Sequence, residues 1–303
     1  METLILIFLR HRITRNATNI YIFAMALADF LVIISFLPNM YMIFTLEFWP
    51  WDGNVYAMIE TIKAVSTGVS VFSMTAFAVE QYRAIVRPVD QQMSSKPLAI
   101  KMILAISVIS IAFAIPTILY SHCEKLYMPG IDDSLSICMT FPSREYGKVM
   151  ITFDFVTYYL SPIIVIGILY FMMARHLSLS ARCSSNEQVQ DQPTEILAKK
   201  QFASTVSAFL IIFTICSFPI RIFTLWYFYN PNWAENYNEY WHLFNFIGFC
   251  LFLFNFCLKS VVLCSTSNSY RKYFNYYLVC RFHKTLDEFT LIPDTNSTET
   301  GVL

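Results

Sequence analysis

Five charged residues stand inside otherwise apolar sequence: Asp29, Lys63, Asp154, Arg221 and Lys259. An isolated carboxylate or ammonium in a hydrocarbon setting is costly, so each needs a partner, a polar cavity or a ligand. Glu60 precedes Lys63 by three residues, a spacing that brings the two together on one helix face. Asp154 has two readings: it serves a ligand, or it neutralises Arg221 or Lys63. A different signal is the triplet Glu80-Gln81-Tyr82, where an apolar run gives way to the basic "RAIVRP". All of this is binding and switching chemistry. The histidines at 11, 122, 176, 242 and 283 are scattered, and neither a zinc spacing nor a nucleophile–base pair emerges. The reading is therefore not an enzyme, with no metal and no cofactor.

The elements that must carry these residues are membrane spans. The chain is 56% hydrophobic and only 14% charged, against about 25% charged residues in ordinary globular domains. A spanning helix needs roughly 20 mostly apolar residues. Six stretches qualify, at about 20–44, 56–80, 98–120, 149–174, 202–229 and 241–264. A seventh, "TLILIFL" at 3–9, is half a span. Its charges, Arg10-His11-Arg12, follow the apolar run rather than precede it, unlike a signal peptide. It reads as the cytoplasmic half of a first span, so the six long stretches are counted here as spans two to seven.

Fifteen of the 21 Lys and Arg lie in segments 10–18, 83–101, 174–200 and 265–303, which the positive-inside rule makes cytoplasmic. The net charge of zero offers nothing to a nucleic acid. Cys123 and Cys138 are the cysteines on the oxidising side, in an outer loop at 121–147 that reads as a hairpin turning near 129–134. After span seven, residues 268–282 ("NSYRKYFNYYLVCRF") suit an amphipathic helix on the inner membrane surface. Cys280 at its end is either a palmitoylation site or a plain thiol. The organisation expected is one membrane domain, 1–283, and a disordered cytoplasmic tail, 284–303. The fold class is an all-α membrane protein: a seven-helix bundle with an incomplete first helix and a surface helix. A transporter would show paired repeats and Gly-rich broken helices; the chain has seven glycines in all and no visible repeat.

The ordered set "ALAD" (26–29), "GVSVFSMTAFAVEQYRAIVRP" (68–88), "AIP" (114–116), Pro162, "FP" (218–219) and "SYRKYFNYYLVC" (269–280) resembles the rhodopsin-like G-protein-coupled receptors. Within them it is most similar to the bombesin and CCHamide neuropeptide receptors. The resemblance implies an extracellular peptide ligand, a heterotrimeric G protein as inner partner, and a plasma-membrane location among lipids. It implies ligand-pocket positions at Lys63, Arg221, Asp154 and Asn245. In the family, Asp29 binds a sodium ion with help from positions matching Ser70 and Asn255. Pro219 marks the span-six kink that opens a G-protein cleft, and Tyr170 matches a residue that stabilises the open form. Aromatic residues near 226–246, Trp226 and Trp241 among them, mark a headgroup belt rather than a pocket.

Several positions depart from the family pattern. The family triplet is Asp/Glu-Arg-Tyr, and Gln81 stands where the Arg belongs, too short and neutral to replace a charged fork. Tyr56 occupies the place of the span-three Cys of the family's outer disulfide, so Cys123 and Cys138 are expected to pair with each other. Ser107 and Ser217 replace the Trp of spans four and six. Lys259-Ser260 replaces Asn-Pro in span seven. On the family's map Lys259 faces Asp29, so an ion pair in place of the sodium ion is expected; the alternative is an amine that snorkels to the inner headgroups. Two functions remain open: a signalling peptide receptor, or a receptor-like protein without output (a decoy, a heteromer subunit or the product of a decaying gene).

Overall fold

The computed structural model describes residues 17–45, 49, 51–87, 96–126, 135–184 and 193–266. The half-span at 3–9, the turn near 129–134, the helix expected at 268–282, Cys280 and the tail lie outside these residues. Six described helices are long and apolar enough to cross a membrane: Ala17–Pro38, Gly53–Val86, Lys96–Tyr120, Arg144–Leu179, Ala203–Tyr229 and Glu239–Leu263. They are spans two to seven, at the places expected. In hydrocarbon a helix satisfies its own backbone, which is why apolar runs of this length fold this way.

Span three starts sharply because the Asp52 side chain accepts a hydrogen bond from the Gly53 N–H at 2.8 Å. Ser143 caps span five in the same way, accepting from the Tyr146 N–H at 3.3 Å. Pro38, Pro116 and Pro219 lie inside helices, each deleting one internal hydrogen bond. Ahead of Pro162, residues Val156–Leu160 form a π-turn, with the Ser161 N–H bonded to the Val156 carbonyl. Pro162 has no N–H for the Tyr158 carbonyl and its ring crowds it; the wider turn accommodates both facts.

Span three is the central helix, packed against spans two, four, five and six. Its Val71, Met74, Phe77 and Ile85 meet Met25 of span two and Phe209 of span six in one buried cluster. Span seven fits closely against span six at Pro219 and Ile220. A Cβ on Gly248 would come within 3.0 Å of the Ile220 backbone nitrogen, so the approach needs glycine. The one sheet described is the hairpin His122–Leu126 (β1) with Leu135–Met139 (β2), antiparallel, with Cys123 opposite Cys138. These two cysteines form the disulfide expected of them.

Candidate functional site

A cavity of about 350 Å³ lies at the hairpin end of the bundle, between spans two to seven. Lys63, Asp154 and Arg221 line it together with Glu60. Lys63 forms an ion pair with Glu60 on its own helix face, as their spacing predicts. Its ammonium also lies 4.7 Å from the ring centre of Phe36, a cation–π distance. Arg221 faces the Phe252 ring at 6.0 Å, and its Nε is buried without a hydrogen-bond partner. Among the described residues no ion pair within 4.0 Å joins Asp154 to Arg221 or Lys63. Direct ion pairing of Asp154 is thus corrected: the Lys63 charge is taken by Glu60, and Asp154 and Arg221 act on each other through space, without a salt bridge. Asn245 is also corrected. It is half-buried one turn nearer the hairpin end, and Phe249 and Phe252 supply the span-seven wall instead.

The aromatic residues at the end of span six do not line this cavity. Trp226 stacks on Trp241 at 3.8 Å, and Tyr227 meets Trp233 at 4.6 Å. Beside them is a residue that sequence reasoning missed. Arg144, at the start of span five, donates to the carbonyls of Tyr227 and Asn230 at 2.6 Å each and of Phe228 at 3.2 Å. The last carbonyls of a helix lack internal partners, and a guanidinium satisfies several at once. The available signal was that unfilled need; which cation meets it is a matter of tertiary placement.

A second polar site lies deep in the bundle. The Lys259 ammonium lies 3.1 Å from Asp29 Oδ1 and donates to Ser70 Oγ at 2.8 Å. The Ser70 hydroxyl also donates to Asp29 Oδ1. All three side chains are essentially sealed from the surface, Lys259 at 2% exposure and Asp29 at 1%. The expected ion pair is present, and the snorkelling alternative does not describe this lysine. Asn255 is corrected: its Oδ1 is buried without a hydrogen-bond partner and takes no part in holding the ammonium. The ammonium already has Asp29 and Ser70, and the Phe256 ring covers it at 5.1 Å. Asp29 Oδ2 and Ser217 Oγ are likewise buried and unpartnered.

At the opposite end of span three, Gln81 is the buried member of the triplet, at 3% exposure. Glu80 and Tyr82 are half-buried, and Tyr82 and Tyr170 each pack on the central cluster. The position facing into the bundle therefore carries an amide and no charge.

Six membrane-length helices with the third at the centre, a proline inside the sixth span and a charged cavity under a disulfide-closed hairpin agree with a known family. The profile of the 7 transmembrane receptor (rhodopsin family) matches residues 3–262. The chain belongs to the rhodopsin family of seven-transmembrane receptors. The Neuropeptide CCHamide-1 receptor of Drosophila melanogaster is 36% identical over 289 residues, covering 92% of this chain. The chain spans 57% of that relative's length. This rhodopsin-family member is a multi-pass membrane protein. Its departures at Gln81, Ser217 and Lys259 all fall on buried positions.

Proposed function

We propose that the chain is a receptor of the plasma membrane for an extracellular peptide, with the hairpin end outside and the C-terminus in the cytoplasm. The observation that carries this is the cavity at the hairpin end. It sets Asp154 and Arg221, not joined by a salt bridge, among aromatic and aliphatic side chains, the composition of a pre-formed ligand site. The likeness to a neuropeptide receptor supports a peptide as its occupant. Arg221, with a free donor, is the group that anchors a peptide acceptor, while Lys63 is held back by Glu60. Binding beside Ile220 and Thr224, next to Pro219, acts on span six where its helix is weakest. The partner on the inner side is a heterotrimeric G protein. The test is binding of a panel of labelled neuropeptides to cells displaying the chain. A specific binder is expected, and Arg221→Ala should weaken it by about tenfold or more, as for a charge-assisted hydrogen bond. A binder indifferent to Arg221→Ala would place the ligand elsewhere.

A second reading keeps the binding and removes the output, and specific observations favour it. Gln81 puts no charge at the inner end of span three, and Lys259 ties spans two, three and seven together at mid-depth. A receptor of this kind captures peptide or modulates a partner receptor without driving a G protein strongly.

A further inference from the structure

Tyr56 stands on the first turn of span three, three residues after Gly53. Its ring is held by Trp49, edge to face with centroids 5.3 Å apart. Trp49 is itself buried, at 2% exposure, and its Nε1–H donates to the Asp52 carbonyl at 3.3 Å. The ring is thus fixed by contacts that do not involve the hairpin. Its hydroxyl, however, lies 2.9 Å from Thr140 Oγ1, 84 residues away. Thr140 follows β2 directly, and both Thr140 and Phe141 line the cavity. The disulfide Cys123–Cys138 closes the hairpin on itself and does not bind it to span three. Gly53 lies close to the hairpin: a Cβ added there would meet Cys123 Cβ and N at 3.4 Å. The Tyr56–Thr140 hydrogen bond is thus a polar link from span three to the end of β2.

We propose that the Tyr56 hydroxyl is a positioning group for the cavity: through one reversible hydrogen bond it seats Thr140, and with it the Phe141 wall. A covalent link would hold this wall shut permanently. A hydrogen bond between two hydroxyls shifts the seated population by only about two- to tenfold, so the wall opens on its own. The cavity then admits its occupant by release at Tyr56 rather than by movement of a span. Phe141 falls back on Phe228, 5.8 Å away, and on Tyr146, at 6.4 Å. The wall is therefore seated by aromatic packing on one side and by this bond on the other.

The idea borrows the cavity from the ligand reading, but its test needs no ligand. A reporter cysteine at Thr224→Cys, on the cavity lining, is placed in the full chain on cells. The rate of its modification by a charged, membrane-impermeant methanethiosulfonate is measured. The chain without the reporter supplies the background from the native cysteines, Cys216, Cys250 and Cys257 among them. Tyr56→Phe keeps the ring on Trp49 and removes one oxygen; it should raise the rate by about two- to tenfold, the range of one hydrogen bond. Thr140→Val should do the same, and the double variant should do no more than either alone. An unchanged rate, or additive effects, would overturn the proposal. So would a lower melting temperature with no change in rate, which would make the bond merely structural. Failure of both variants to reach the surface assigns the bond to folding and equally overturns it. Absence of any peptide binder would bear on the receptor reading and leave this result standing.

Discussion

Lys259 of span seven and Asp29 of span two are joined at 3.1 Å in the middle of the bundle, 230 residues apart in sequence. Ser70 of span three completes the contact, so three helices meet on one ammonium. Removing one half of a buried pair typically costs about 3–5 kcal/mol, because the other charge is left behind. Lys259→Ala should therefore lower the melting temperature of the solubilised receptor at low sodium. Added sodium chloride should restore part of the loss by filling the vacated place beside Asp29, while the chloride of a large organic cation should not. The parent should show no such difference. A parent that melts higher in sodium but not in the larger cation would contradict a site already occupied by its own lysine.

Gln81 is buried at the end of span three away from the hairpin and carries no charge. Output of second messenger from cells expressing the parent should be low even when the peptide is bound. Gln81→Arg should raise it, since an always-charged fork is then available at that position. Strong ligand-dependent output from the parent would remove Gln81 as the cause of weak coupling.

The Cys123–Cys138 disulfide closes a loop of 15 residues in sequence separation. Such a loop corresponds to about 3 kcal/mol of chain entropy. Cys123→Ser with Cys138→Ser should lower thermal stability at the hairpin and leave the helical content unchanged by circular dichroism. Peptide mapping of non-reduced parent should yield the linked pair; free thiols at both positions would refute it.

Arg144 donates to three carbonyls at the end of span six. Arg144→Ala should destabilise the receptor by about 1–3 kcal/mol, the range for a charge-assisted hydrogen bond that leaves acceptors open. Arg144→Lys should recover little, because a point ammonium cannot reach several carbonyls as the planar fork does. Full recovery by lysine would mean that charge alone matters there. Thermal melting of the three proteins decides it.

The six described spans, the hairpin and the Lys63–Glu60 pair were legible from sequence because each depends on residues close together in the chain. A span is a local run of about 20 apolar residues. A pair three residues apart on a helix meets whatever else the helix touches. The Lys259–Asp29 pair was reachable only through the resemblance, which supplied a map of facing positions. Asn245 was expected to line the cavity and does not, and Asn255 was expected to bond the ammonium, yet its Oδ1 has no partner. In both cases the helix was right, and the neighbouring phenylalanines or better-placed donors took the role.

The amino-acid sequence alone determined that this protein crosses the membrane many times, where the apolar part of each span lies, and which residues carry charge into the bundle. It also determined the absence of charge at Gln81. Tertiary structure decided which partner each polar group takes: Asp29 for Lys259, Glu60 for Lys63, the span-six carbonyls for Arg144 and Thr140 for Tyr56. It also set Asp154 and Arg221 on one cavity, coupled through space without a direct salt bridge. The reason is physical. Burial in a helix is set by composition and length, whereas a partner on another helix depends on the rotation, depth and kink of both. Those are settled only when all the spans pack at once.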